Sequence, residues 1–91
     1  DALAVDAWVS IGMFGVFDAK PKEPVLDIVA EHDAHEVRAD WKRRTREAPS
    51  DSCSRQLSVE GTDHFFDNRQ ARLAAAIGAF LEHVFSGNCR G

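Results

Sequence analysis

Apolar positions along this chain fall into three short runs and two longer periodic stretches. Ala7 to Phe14 (Ala-Trp-Val-Ser-Ile-Gly-Met-Phe) is almost continuously apolar and of strand length. A run of that kind reads as a strand buried on both faces, as in the middle of a parallel sheet. Residues 15 to 23, marked by Gly15, Asp18 and Pro21, read as a loop. Pro24 then opens a second run, Val25-Leu26-Asp27-Ile28-Val29-Ala30, where a proline at the first position removes no interior ladder bond.

Asp33 to about Ala48 carries a helical pattern, with Val37, Trp41, Thr45 and Ala48 near a four-residue spacing. Asp33 followed by Glu36 resembles a capping box, so Asp33 is the expected helix cap. Pro49-Ser50-Asp51-Ser52 ends the helix. Arg55 to Glu60 alternates, with Leu57 and Val59 inward and Gln56, Ser58 and Glu60 outward, which suits a strand near a sheet edge. Asp67 or Asn68 caps a final helix running to about Phe85, with a buried stripe of Leu73, Ile77, Phe80, Leu81 and Val84. Gly78 is expected to let that helix approach the sheet closely, and Gly87 to end it.

The order strand, loop, strand, helix, strand, helix predicts an α/β fold: a parallel three-stranded sheet with flanking helices, built on right-handed crossovers. So few elements cannot cover both faces. Trp8, Met13 and Phe14 are expected to need cover from elsewhere.

Length and composition sharpen this picture. Ninety-one residues make one small domain, burying roughly 60–65% of its unfolded surface. With 44% hydrophobic and 29% charged residues the chain is globular in character, and its net charge of −4 speaks against a nucleic-acid surface. Lys42, Arg43, Arg44 and Arg46 cluster, but at a helix C-terminus they complement the helix dipole and read as a solvated end. No apolar run reaches the ~20 residues of a membrane span, and no signal peptide is visible. The chain enters a strand within a few residues, which gives the expectation of a single partial domain over residues 1–91, the later part of something longer.

Two loops carry chemistry. Asp33 follows the second strand by three residues, and His64 follows the third within Gly61-Thr-Asp-His-Phe-Phe. Ligands and catalysis gather at the C-terminal edge of a parallel sheet, and an imidazole presented there can act as a general base. The alternative for Asp33 is a helix cap, a role that can coexist with that of an acid, and for His64 a loop histidine bonded to backbone. Asp63 adjoins His64 but should point to the other side of the chain, and Asp18 is a weaker substitute acid. His32, Asp33, His35 and His64 could face a metal, yet they lack a tight ligand motif, so no metal and no cofactor are expected. Asp27, inside an apolar strand, needs partners that the sequence does not identify.

Pro24-Val-Leu-Asp-Ile-Val-Ala-Glu-His-Asp33 together with Gly61-Thr-Asp-His64-Phe-Phe resembles the acid and histidine loops of the α/β-hydrolase superfamily, and Trp8 to Phe14 its sixth strand. The likeness covers essentially the whole chain and is to bacterial members. Ala30 stands where that pattern usually has glycine. The resemblance implies the C-terminal portion of a doubly wound α/β-hydrolase fold, with Asp33 as triad acid and His64 as general base for ester or amide hydrolysis. The superfamily's chain order is Ser, acid, His. No Gly-x-Ser-x-Gly occurs and none of the six serines sits on a strand-to-helix elbow, so the chain alone is expected to be inactive. The implied partner is the missing N-terminal half; the alternative is a non-catalytic module that dimerises or docks through its first-strand edge.

Cys53 and Cys89 should return to the same edge of the sheet, because the last helix runs antiparallel to the third strand. A bridge would imply an oxidising, periplasmic or secreted setting; two free thiols and a cytoplasmic setting are the expectation.

Overall fold

The computed structural model describes residues 7–15, 22–47, 53–87 and 89. Its elements are β1 (Trp8–Ile11), β2 (Val25–Ala30), α1 (His35–Arg43, tightening into a 3-10 turn over Arg44–Glu47), β3 (Arg55–Val59) and α2 (Gln70–Phe85). The described strands form one parallel sheet in the order β1-β2-β3. This is a small α/β arrangement of three parallel strands and two helices.

β2 is central and all six of its residues are buried, which explains why it lacks polar alternation. Its two faces serve different layers. Leu26, Ile28 and Ala30 join Val59, Phe66 and Phe80 in the main core, against which Leu73, Ile77, Leu81 and Val84 of α2 pack. The stripe expected on α2 is therefore its packed face, although only Phe80 is fully buried. Gly78 lies off that stripe: a Cβ there would meet nothing within 4 Å, so it provides no close approach to the sheet. Gly87 adopts φ +78° just past the helix, the left-handed C-terminal ending expected of it.

The other face of β2 holds the answer to Asp27. In the sheet register Ser10, Asp27 and Gln56 stand side by side. Ser10 Oγ donates to Asp27 Oδ1 at 2.6 Å, and Gln56 Nε2 donates to Oδ2 at 3.2 Å. Arg44 completes the set from α1's end, with Nε 2.8 Å from Oδ2 and Nη2 3.0 Å from Oδ1. Arg44 is thus fully buried rather than part of a solvated basic end. A carboxylate in the sheet interior requires a charged, hydrogen-bonded partner, and α1's last turn is the nearest place to supply one. Arg43 keeps to the rim, paired with Asp40.

Three further expectations change. β1 ends at Ile11, because Gly12 turns the chain at φ +62°, and the strand lies at the edge with Trp8, Val9 and Ile11 exposed rather than buried on both faces. α1 begins at His35 with Ala34 as its cap residue and no side-chain cap bond. Asp33 Oδ1 takes only the Ala34 N–H, at 2.8 Å, and its second oxygen is engaged elsewhere. α2 likewise starts later than expected, after Arg69, with neither Asp67 nor Asn68 capping it.

Cys53 and Cys89 form a disulfide, not two free thiols; their Cα atoms are 5.2 Å apart. α2 does bring its C-terminus back beside the start of β3, and that return puts the two residues in bridging range.

Candidate functional site

The site is assembled at the C-terminal edge of the sheet from the segments that follow all three strands. The loops after β2 and β3 are tied to each other through backbone. Glu31 N–H donates to Val59 O and His32 N–H to Thr62 O, both at 2.9 Å, while Gly61 N–H donates to the Glu31 side chain. Around His64 the chain turns tightly, with Phe66 N–H bonded to Asp63 O. Phe66 holds φ +56°, unusual for an aromatic residue, and its ring is buried in the core. Packing of that ring fixes an otherwise unfavourable backbone and with it the position of His64.

His64 Nδ1 lies 3.1 Å from Asp33 Oδ2. The Asp33 side chain is almost wholly buried at 1% exposure, whereas that of His64 is 50% exposed. An ionised carboxylate only accepts, so this contact selects the tautomer with the proton on Nδ1. Nε2 then carries the free lone pair, and it makes no hydrogen bond among the described residues. Such an imidazole can take a proton from a hydroxyl placed before it, with the carboxylate stabilising the cation that forms.

An open hollow of about 280 Å³ adjoins the pair, walled by Phe14, Val37, Phe65 and the two loops. Phe65 meets the His64 ring edge-on, with centroids 5.9 Å apart. The apolar walls suit an apolar group of a ligand next to the imidazole.

The other candidates separate. Asp63 caps the histidine turn by accepting the Phe65 N–H at 3.0 Å and does not bond His64. His32 faces Glu31 at 3.3 Å, and among the described residues no three His, Cys, Asp or Glu side chains gather as metal ligands. Asp18 lies outside the described residues. Ser10 is bound to Asp27, Ser54 Oγ accepts the Val25 N–H, and Ser86 Oγ donates to His83 O; none of these three bonds His64.

No family model, curated protein or solved structure matches the chain.

Sequence reasoning missed the part played by the segment after β1. Gly12 packs directly on the pair, and Phe14 walls the hollow. Asp40 carries the charge that holds this segment: its carboxylate accepts the Gly15 N–H at 2.7 Å. That bond, followed by the charges of Arg43 and Arg44, keeps the Asp40 pKa below its ordinary value despite desolvation. A glycine interrupting the apolar run Ile11-Gly12-Met13 was the available signal, since an isolated strand glycine often marks close approach.

Proposed function

We propose that this chain is the acid-and-base arm of a serine-hydrolase-like α/β hydrolase acting on esters or amides. Asp33 orients His64, and His64 Nε2 accepts the proton of a hydroxyl nucleophile carried by a different segment. The observation that supports this most is the 3.1 Å contact between buried Asp33 and half-exposed His64 on neighbouring loops at one sheet edge. The order of acid strand then histidine strand, with β1 beside the acid strand, fits the C-terminal part of a doubly wound α/β-hydrolase fold. The disulfide supports a place in an oxidising compartment, periplasmic or extracellular.

The test has two arms. The isolated chain should turn over short-chain nitrophenyl esters no faster than its His64→Ala variant. Joined to the upstream sequence of its reading frame, it should hydrolyse them and lose that activity on His64→Ala. Turnover by the isolated chain that needs His64 and one of its own serines would reveal a nucleophile within it. A joined protein indifferent to His64 would defeat the reading.

A second reading has its own observation. β1 pairs only with β2 among the described strands, and Trp8 (48%), Val9 (37%) and Ile11 (42%) are exposed along it. An unpaired apolar edge of this kind is a template for another strand. On that reading the chain is a non-catalytic module that associates through β1.

A further inference from the structure

We propose that Gly12 is a positioning residue for His64, its bare Cα closing the Asp33–His64 pair from the side of β1. The proposal rests on the reading of His64 as the proton acceptor and adds a third strand's segment to that site.

The geometry leaves no space for a side chain. A Cβ on Gly12 would stand 2.7 Å from His64 Cε1, 2.8 Å from His64 Nδ1 and 3.4 Å from Asp33 Oδ2. Those are the atoms of the hydrogen bond itself and the ring carbon beside it. Gly12 also has φ +62°, where a side chain is disfavoured. Shielded on this side, the contact between Nδ1 and Oδ2 is removed from competing water, which strengthens it.

Which partner yields to an added methyl group follows from how each is held. Gly12 N–H donates to Ile28 O at 2.8 Å, pinning the residue to β2. Just beyond it, Arg44 Nη1 donates to Met13 O at 3.1 Å and to Gly15 O at 2.6 Å, and Asp40 takes the Gly15 N–H. Arg44 is itself locked on Asp27 and buried. The backbone around Gly12 is therefore tied on both sides by backbone and charge-assisted bonds. His64 is half exposed and its described hydrogen bond is the one to Asp33. The imidazole is the group that moves, swinging off Asp33 toward solvent.

Gly15 supplies the control. It has φ +80°, so alanine there meets the same backbone disfavour, but a Cβ would touch nothing within 4 Å. The experiment compares the wild-type full chain with Gly12→Ala and Gly15→Ala, following thermal unfolding and the imidazole nitrogen NMR of His64. Both substitutions should lower Tm. Only Gly12→Ala should move the His64 nitrogens away from the Nδ1–H form, to the pattern given by Asp33→Ala. Gly12→Asn tolerates positive φ better while retaining the Cβ, and it should show the same nitrogen pattern should the alanine variant fold poorly. Wild-type His64 resonances in either Gly12 variant, or an equal disturbance from Gly15→Ala, would overturn the proposal. Failure of the hydrolase reading looks different: the Gly12 effect would be present while the joined protein's hydrolysis ignored His64.

Discussion

Arg44 and Asp27 meet in the sheet interior through two hydrogen bonds, Nε to Oδ2 at 2.8 Å and Nη2 to Oδ1 at 3.0 Å. Neither side chain is more than 4% exposed. The remaining Arg44 nitrogen reaches the carbonyls of Met13 and Gly15, so one side chain joins α1, the central strand and the segment beside His64. The pair therefore ties these three parts of the fold together and indirectly shapes the site.

Removing one member of this pair leaves the other charged and buried. Arg44→Met is expected to destabilise the chain by about 3–5 kcal/mol in denaturant unfolding. Asp27→Leu with Arg44→Met should recover part of that loss, because no uncompensated charge remains. A double variant no better than Arg44→Met would mean that the carbonyl bonds to Met13 and Gly15, rather than the ion pair, dominate.

Asp40 gives the chain a defined acid sensitivity. Its folded pKa lies below the ordinary 3.8, chiefly because it accepts the Gly15 N–H and then because of Arg43 and Arg44. A depressed folded pKa contributes stability that is complete above the unfolded value and is lost as pH falls through the folded one. Asp40→Asn should accordingly lower Tm at neutral pH, with the gap to wild type closing below about pH 3.8. A gap that stayed constant into that range would show that the carboxylate's charge is irrelevant there.

Much of this architecture is legible from residue order. Pro24 and the β-branched run of β2 mark a buried strand, and Leu57 and Val59 give the inward positions of β3. Both match because strand register is dictated by local alternation. Asp33 and His64 fall together for a related reason: parallel strands deliver their following loops to one edge. What stayed hidden depends on distances between elements. Arg44 sits in a basic run that reads as a solvated end, and only the crossing of α1 over β2 shows that it faces Asp27. Asp33 looks like a helix cap until His64 is seen to take its second oxygen. The apolar run over Ala7 to Phe14 suggests a central strand, although β1 stands at the edge with its large side chains exposed. Composition measures apolarity, not the presence of a neighbour to cover it.

The Cys53–Cys89 bridge closes a span of 36 residues containing β3 and α2. A loop of that length corresponds to about 3–4 kcal/mol in the chain-entropy description. Reduction, or Cys53→Ala with Cys89→Ala, should lower the unfolding free energy by that order. Unchanged stability under reductant would indicate that the bridge does not form in solution.

Unpaired on its outer side among the described strands, β1 should promote association of the isolated chain. Val9 and Ile11 share the face that α2 covers over β2 and β3 but leaves exposed over β1. Sedimentation at high concentration should show dimers or larger species, and Ile11→Lys should shift the population toward monomer, as charge on an edge strand blocks pairing. A monodisperse wild-type monomer would mean that another segment covers this edge.

The relation between His64 and Asp33 carries the functional account, and imidazole nitrogen NMR reads it directly. With Nδ1 donating to Asp33 Oδ2, neutral His64 should be held as the Nδ1–H tautomer, leaving Nε2 unprotonated and able to accept a proton. Asp33→Ala should release the ring to the Nε2–H form that free imidazole side chains favour. Wild-type His64 already in the Nε2–H form, unchanged by Asp33→Ala, would contradict the account.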